Sequence, residues 1–244
     1  MTRKAFLLAA GLGTRLKPLT ERIPKCLVPI HGKPLLSIWL EICDRLEVRE
    51  VLINTHYLPD QVRAWALSQD SRVRINLAHE EVLLGSAGTV AANRDFVRND
   101  EDFYIFYADN LVCANLAALG SFHARHAGLL TVGLFRPSRP RDCGVVTLSE
   151  DGLITSFEEK PSEPKSDLAS AGIFLARQAL FDWLPGAGFA DLGKHVMPRL
   201  LGAMAGLHLE GYILDIGTPE NYQKALKEWP AIADSIDANK VSGN

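Results

Sequence analysis

A glycine-rich segment near the amino terminus contains residue types that bind phosphate. It follows a short apolar run and consists of Leu8-Ala9-Ala10-Gly11-Leu12-Gly13-Thr14-Arg15-Leu16. Glycines let consecutive backbone N–H groups approach an anion, so a loop of this kind can cradle phosphate oxygens. The Arg15 guanidinium adds a planar donor that suits bidentate contacts with phosphate. The glycines alone would also fit a tight turn between a strand and a helix, so they indicate phosphate binding only together with further motifs.

Two better-known glycine motifs are excluded. The dinucleotide-binding motif G-x-G-x-x-G requires a third glycine, and the corresponding position is Leu16. The P-loop requires a hydroxyl residue after its Gly-Lys pair, whereas Lys33 is followed by Pro34 and Lys194 by His195. A phosphate cradle of a different type is therefore expected.

Lys25 lies in a stiffened segment shortly after the glycine loop. Pro24 and Pro29 restrict the backbone on either side of it. A lysine held in this way has a better-defined position than an ordinary surface lysine. We therefore predict that Lys25 contacts phosphate near the glycine loop.

Two aspartates follow the ends of predicted strands. Asp109 comes after the apolar run 103–107, and Asp215 ends a strand just before Thr218-Pro219, which is typical of a helix start. Ligands of open α/β sheets bind beyond the carboxyl ends of the strands. Both carboxylates are therefore expected in one crevice, where they can hold one Mg²⁺ ion together with water and phosphate oxygens. Either aspartate taken alone would also fit a turn or a helix cap.

The first half of the chain alternates between apolar runs of strand length and amphipathic helical stretches. Strands are predicted at residues 5–9, 50–55, 73–78, 103–107 and 129–135, and helices at 35–46, 59–67, 87–96 and 116–125. This alternation predicts an α/β fold with a Rossmann-like, mainly parallel, twisted sheet and helices on both of its faces.

The second half of the chain has shorter elements. Strands are predicted at 144–148, 154–159 and 170–176, followed by a helix at 192–201, a strand at 207–214 and a helix at 219–229. Turn residues separate the short strands, which predicts a small antiparallel or mixed portion attached to the first sheet. We expect one domain at residues 1–229 and a polar tail at residues 230–244, whose end is frayed.

Charge and cysteine content limit the function classes. The 244 residues include 26 Lys and Arg and 29 Asp and Glu, a formal net charge of −3. With no basic excess, neither nucleic acid nor a membrane surface is an expected partner, and phosphate binding must be local. The cysteines form no C-x-x-C pair, which predicts free thiols and a cytoplasmic location; they are Cys26, Cys43, Cys113 and Cys143. The apolar run 5–10 is too short for a signal peptide or a membrane span.

The histidines and Cys26 receive no functional role. His123 and His126 are three residues apart on a predicted helix, but no third ligand has metal spacing, so an exposed helix face is expected. Cys26 adjoins Lys25 but has no evident base partner, so a nucleophilic role is not predicted.

The glycine loop with Arg15 and the later pair Pro24-Lys25 together resemble the signature of the sugar-1-phosphate nucleotidyltransferases, also called nucleoside-diphosphate-sugar pyrophosphorylases. The resemblance extends from about residue 4 to residue 226. It implies a nucleotide half at about residues 1–115 and a sugar-binding half at about residues 116–229. The short length and the turn at residues 84–88 resemble the mannose- and heptose-1-phosphate guanylyltransferases of this family, which implies a place in cell-envelope polysaccharide biosynthesis.

The resemblance also implies a role for each motif. The triphosphate contacts would be Ala9, Ala10, Gly11, Gly13, Thr14, Arg15 and Lys25. The base contacts would be Gly85, Ser86, Ala87 and Gly88, and the sugar-phosphate contacts would be Gly144, Glu159, Lys160 and Gly172. The metal ligands would be Asp109 and Asp215, and the catalytic residues would be Arg15, Lys25 and Asp109. The chain has Ala108 and Ser170 where the family commonly has glycine and asparagine.

The implied reaction is a direct transfer from a nucleoside triphosphate to a sugar 1-phosphate. The sugar phosphate oxygen attacks the α-phosphorus and pyrophosphate leaves in line, with Mg²⁺ as the cofactor. GTP and a mannose- or heptose-type 1-phosphate are the first expectation.

Three alternatives stay open from the sequence. The nucleotide could be UTP, with a hexose or hexosamine 1-phosphate as acceptor, or the chain could transfer CMP to a phosphorylated alcohol such as phosphocholine. It could also be a catalytically silent sensor of nucleotide sugars, although the cations and both aspartates of the motifs are present. The sequence does not determine whether the chain forms a homo-oligomer, as members of the family often do.

Overall fold

A nine-stranded sheet lies at the centre of the computed structural model, which describes residues 4–241. The strands, in chain order, are β1 (Lys4–Leu8), β2 (Pro29–Ile30), β3 (Lys33–Pro34), β4 (Glu50–Thr55), β5 (Arg74–His79), β6 (Asp102–Tyr107), β7 (Asn110–Ala114), β8 (Leu130–Phe135), β9 (Gly144–Leu148), β10 (Ile154–Glu159), β11 (Ala169–Arg177), β12 (Met204–His208) and β13 (Gly211–Asp215). The α-helices are α1 (Leu35–Arg45), α2 (Pro59–Leu67), α3 (Gly85–Ala92), α4 (Ala117–Arg125) and α5 (Pro219–Val241).

Four adjacent strands of the central sheet are parallel. β1 lies between β4 and β6, and β5 pairs with β4 on its outer side. β11 is antiparallel to both β6 and β8, and β8 pairs in parallel with β12. The antiparallel pair β9–β10 joins the sheet where Ala169 of β11 pairs with Val145 of β9. The mainly parallel sheet with a smaller mixed portion confirms the predicted fold class.

Side chains of β1 are buried on both faces of the sheet, which explains why its interior residues are all apolar. Ala5 and Leu7 pack on one face, in the same cluster as Trp39 of α1. Phe6 points to the other face, where its ring meets the Phe103 ring edge to face at 5.8 Å. Successive strand residues point to opposite faces, so a strand covered on both sides must be apolar throughout. The end of β1 therefore has a fixed position from which the glycine loop departs.

The region predicted as one strand at 207–214 forms two strands, so that prediction is wrong. β12 pairs with β8, whereas β13 pairs antiparallel with β7, a strand absent from the predictions. Gly211 has a φ of 128°, and a Cβ atom there would lie 2.3 Å from the Cys113 carbonyl oxygen. This glycine permits the change of direction, and β13 leaves the central sheet to form a separate two-stranded sheet with β7.

Two further predicted helices differ from the structure. The segment 192–201 is a π-helical turn at Leu192–Val196 followed by a 3₁₀ turn at Met197–Arg199, because Pro198 has no N–H to continue an α-helix. The helix predicted at 87–96 starts at Gly85 instead, and a 3₁₀ turn at Arg94–Val97 replaces its last turn.

The last helix, α5, continues past its predicted end at residue 229. It includes Pro230 and ends at Val241, so the start of the predicted polar tail is helical; residues 242–244 lie outside the described range. A proline at this position cannot donate to the Leu226 carbonyl, and the His31 ring nitrogen lies 2.5 Å from that oxygen instead. Within residues 4–241, every helix is too short or too polar to cross a lipid bilayer.

Gly211→Ala should lower the free energy of unfolding by about 1–3 kcal/mol, because the added methyl group meets a backbone carbonyl and alanine disfavours a positive φ. Gly186→Ala is the matched control, since nothing lies within 4 Å of a Cβ atom at that position. Urea denaturation followed by circular dichroism measures both values. Equal stability of the two variants would show that the turn into β13 does not depend on glycine.

Candidate active site

The register of the strands brings two distant aspartates together. Leu8 of β1 pairs with Tyr107 of β6, so both strands end at the same edge of the sheet. Asp109 follows β6, and the next residue, Asn110, pairs with Asp215 at the end of β13. The carboxylates of Asp109 and Asp215 therefore lie in one crevice beyond the ends of β1 and β6.

The side chain of Lys25 lies between these carboxylates. Its Nζ atom donates hydrogen bonds to Asp109 Oδ2 at 2.7 Å and to Asp215 Oδ1 at 3.1 Å. Only 7% of the Lys25 side chain is exposed, and burial by itself lowers the pKa of an ammonium group. The two carboxylates outweigh burial, so the pKa of Lys25 is raised above its ordinary value. Lys25 is thus a buried cation at neutral pH, held by two anions.

Asp215 has further donors besides Lys25. Its Oδ1 atom accepts the Gly217 N–H at 2.7 Å, and its Oδ2 atom lies 3.5 Å from Arg15 Nη2. Burial tends to raise the pKa of Asp215, but Lys25, the Gly217 N–H and Arg15 hold it below its ordinary value. A Cβ atom on Gly217 would lie 2.7 Å from both Lys25 Nζ and Asp215 Oδ1. Glycine at this position therefore leaves room for the ion pair.

The glycine loop is anchored by Thr20. The Thr20 hydroxyl donates to the Gly13 carbonyl at 2.7 Å, and Gly13 has a φ of 64°. A Cβ atom on Gly13 would lie 2.9 Å from Thr20 Cγ2, so this turn favours glycine on both grounds. Gly11, Thr14 and Arg15 are exposed. These three residues are therefore open to solvent, while Thr20 holds the loop backbone.

A buried polar network joins the glycine loop to the start of α3. The Asn54 carboxamide accepts the Ala9 N–H at 2.7 Å and donates to Glu80 Oε1 at 2.9 Å. Glu80 also accepts the Thr89 hydroxyl at 2.5 Å and the Leu84 N–H at 3.0 Å. Because these buried groups bind each other, the cost of removing them from water is largely offset. Asn54 and Glu80 are absent from the predictions, although both lie at carboxyl ends of strands, where ligand crevices form.

A first cavity of about 260 Å³ opens beside this network. The predicted residues in its lining are Ala9, Ala10, Gly11, Lys25, Gly85, Ser86 and Asp109. The predicted base contacts Ala87 and Gly88 are not part of the lining, because their N–H groups donate to the Ala190 carbonyl at 2.9 and 3.1 Å. Tyr107, Phe189 and Asp191 also line the cavity and are absent from the predictions.

A second cavity of about 180 Å³ adjoins the first. All the predicted sugar-phosphate residues line it, together with both aspartates of the crevice: Gly144, Glu159, Lys160, Gly172, Asp109 and Asp215. Tyr107, Asp109 and Asp191 line both cavities. The two cavities therefore share a wall, and one residue of that wall, Asp109, accepts the hydrogen bond from Lys25.

Glu159 packs tightly in the second cavity. A Cβ atom on Gly193 would lie 2.7 Å from Glu159 Oε2, and one on Gly144 would lie 2.9 Å from the same oxygen. Burial and then the nearby Asp191 carboxylate raise the pKa of Glu159, while Lys160 partly opposes this shift. The two glycines leave room for a carboxyl group that is less acidic than usual.

Two residues left without a role in the predictions are both buried, and Cys26 also lines the first cavity. His123 was expected on an exposed face, which is wrong: it is buried, its Nδ1 atom is 2.7 Å from Thr131 Oγ1, and burial lowers its pKa. Burial raises the pKa of Cys26 to about 12, which agrees with the absence of a nucleophilic role. Within residues 4–241, no group of three or more histidine, cysteine, aspartate or glutamate side chains is arranged to bind a metal ion.

Comparison with known proteins places this arrangement in a family. A family model described as nucleotidyl transferase matches residues 4–231. The chain belongs to the nucleotidyl transferase family. The matched range contains the glycine loop, Lys25, both aspartates and both cavities.

Named relatives of this chain include proteins from Xenopus laevis and Dictyostelium discoideum. It is 30% identical over 225 residues to mannose-1-phosphate guanyltransferase beta-A of Xenopus laevis. It is 29% identical over 224 residues to the mannose-1-phosphate guanylyltransferase catalytic subunit beta of Dictyostelium discoideum. Each alignment covers 90% of this chain and 62% of the relative, so the chain spans less than two thirds of their length.

A solved structure shares the fold of this nucleotidyl transferase. HddC from Yersinia pseudotuberculosis superposes with a TM-score of 0.79 at 21% identity, covering 93% of this chain and 100% of that chain. HddC has also been solved in complex with GMP-PN. At this level of identity, the likeness shows the fold.

Asn54→Ala should lower the free energy of unfolding of this nucleotidyl transferase by about 3 kcal/mol, because the Ala9 N–H loses its buried acceptor and Glu80 loses a donor. Asn76→Ala is the control: Asn76 lies on the neighbouring strand, is half-buried and donates to the Val51 carbonyl at 3.2 Å. Urea denaturation compares the two variants. A loss in Asn54→Ala no larger than that in Asn76→Ala would contradict the structural role of the network.

Proposed function

We propose that this chain transfers a nucleoside monophosphate from a nucleoside triphosphate to a sugar 1-phosphate and releases pyrophosphate. The observation that carries the proposal is the position of Asp109, which lines both cavities and accepts a hydrogen bond from Lys25. The first cavity adjoins the glycine loop and the second adjoins Lys160, so phosphate-binding groups lie on both sides of one aspartate. Membership in the nucleotidyl transferase family supports this reaction.

Within this reaction class, we propose GTP and a mannose-type 1-phosphate as substrates, with a heptose-type 1-phosphate as the nearest variant. The relatives from Xenopus laevis and Dictyostelium discoideum are named as mannose-1-phosphate guanylyltransferases. HddC, whose fold is shared, was solved with GMP-PN. These names support a guanine nucleotide over UTP.

Asp109 and Asp215 fit a divalent metal ion. Their oxygens converge on a single positive charge, the Lys25 ammonium group, at 2.7 and 3.1 Å. Carboxylate oxygens are ligands that Mg²⁺ prefers, and Mg²⁺ usually takes its remaining ligands from water and substrate phosphates. We propose that these two residues hold Mg²⁺, which when bound would neutralise charge on the phosphate oxygens.

The chain's own groups bind and orient the two substrates in this proposal. The N–H groups of the glycine loop and the Arg15 guanidinium bind the outer phosphates of the triphosphate, and Lys25 contacts the α-phosphate. Lys160 binds the phosphate of the sugar, and Glu159 binds sugar hydroxyl groups. A phosphate monoester is ionised at neutral pH, so its oxygen needs no general base. The rate then depends on positioning and charge neutralisation.

We also propose a cytoplasmic location. The four cysteines, all of which lie in the described part of the chain, form no disulfide bond. Free cysteines are typical of proteins in a reducing compartment.

The purified protein should release pyrophosphate only when Mg²⁺, a nucleoside triphosphate and a sugar 1-phosphate are all present. A panel of triphosphates and sugar phosphates, read with a coupled pyrophosphatase, should give the highest kcat/KM with GTP and mannose 1-phosphate. Release with phosphocholine and CTP, but with none of the sugars, would favour the transfer of CMP to a phosphorylated alcohol. Nucleotide binding without any turnover would favour a silent sensor.

Asp109→Asn and Lys25→Ala should each lower kcat/KM by about 10²- to 10³-fold, because each removes a charge from the point where the cavities meet. Lys33→Ala is the control, since Lys33 lies outside both cavities and pairs with Glu41 at 2.6 Å. Circular dichroism checks that each variant is folded. Near-normal turnover by either folded site variant would overturn the assignment of these residues.

A further inference from the structure

The first cavity has an aromatic side chain that the proposed mechanism does not use. Phe189 is 66% exposed although it is large and apolar. Its ring lines the cavity together with Gly11, Gly85 and Ser86. An exposed aromatic ring beside a cavity of this size offers an apolar surface that a flat ligand can cover.

Backbone contacts hold the segment that carries Phe189. The Ala190 N–H donates to the Leu84 carbonyl at 2.8 Å, and the Ala190 carbonyl accepts the Gly88 N–H at 3.1 Å. A Cβ atom on Gly88 would lie 2.6 Å from the Gly188 carbonyl oxygen, so the close approach of the two segments requires glycine. These contacts attach Phe189 to the start of α3.

The ring of Phe189 is also oriented by its neighbours. Its Cε2 atom would lie 3.0 Å from a Cβ atom on Gly85, so the ring lies close over that glycine. It meets the His195 ring at 6.2 Å with an interplanar angle of 82°. The Asp191 N–H donates to His195 Nδ1 at 2.8 Å and so fixes the histidine. A ring positioned in this way loses little conformational freedom when a ligand stacks on it.

We propose that Phe189 stacks on the base of the bound nucleotide and strengthens the binding of purines over pyrimidines. This inference rests on the proposed function, because it concerns the base of the same triphosphate. Every base has a flat π-face that can stack on an aromatic ring. A purine has two fused rings and covers more of the phenyl surface than a pyrimidine does, so it gains more from the contact.

The test uses the full chain and 2-aminopurine riboside triphosphate, a fluorescent purine whose emission is quenched when it stacks. The wild-type protein should quench the probe. Phe189→Leu, which keeps apolar volume but removes the ring, should quench it little, and Phe189→Tyr should restore quenching. The KM for GTP should rise about tenfold in Phe189→Leu with kcat changed less than about twofold, since the contact is the same in the ground and transition states.

The ratio of kcat/KM for GTP over UTP should fall in Phe189→Leu, and an equal loss for both nucleotides would overturn the purine preference. Leu67→Ala is the control, because Leu67 is 83% exposed on α2 and lines neither cavity. If KM and quenching are unchanged in Phe189→Leu while the wild-type protein turns over normally, the stacking proposal is rejected and the proposed function stands. Absence of wild-type turnover with every substrate pair would instead reject the proposed function, and quenching of the probe would still report on Phe189.

Discussion

Two carboxylates that share one buried ammonium group are the interaction on which the candidate active site depends. Without Lys25, Asp109 and Asp215 would repel each other in a crevice partly removed from water. Several features of the fold serve this contact: the ends of β1 and β6 coincide, β7 and β13 pair through Asn110 and Asp215, and Gly217 leaves space beside the ammonium group. The ammonium group of Lys25 is therefore held in a defined position by the fold itself.

Asp191 links the walls of the two cavities. Its Oδ2 atom accepts the Ser86 hydroxyl at 3.0 Å, and the same hydroxyl oxygen accepts the Leu192 N–H at 2.7 Å. The Asp191 carboxylate also contributes to the raised pKa of Glu159 in the second cavity. A shift of α3 on nucleotide binding would therefore act on the residues that face the other cavity. The walls of the two cavities are thus coupled through one carboxylate.

The sequence predicted the bounds of β4, β9 and β10 correctly. Burial on both faces explains the mostly apolar run of β4, whereas β10 is an edge strand with alternating exposure that is recognisable from the turn residues before it. The sequence also predicted that Asp109 and Asp215 would share a crevice, since both follow strand ends. The Asn54–Glu80 network was not predictable, because polar residues at the ends of strands also fit solvent exposure. The buried ring of His123 contacts Thr131 of β8, and the periodicity of its own helix does not reveal a partner on another element.

The separate sheet of β7 and β13 gives the site an order of assembly. During synthesis, the glycine loop, Lys25 and Asp109 all leave the ribosome well before Asp215, and chains fold progressively as they emerge. The central strands β1, β4, β5 and β6 can pair at that time, but the second carboxylate joins Lys25 only when β13 has found β7. A nascent chain therefore has Asp109 beside Lys25 but lacks Asp215. The crevice is complete only after folding has included residue 215.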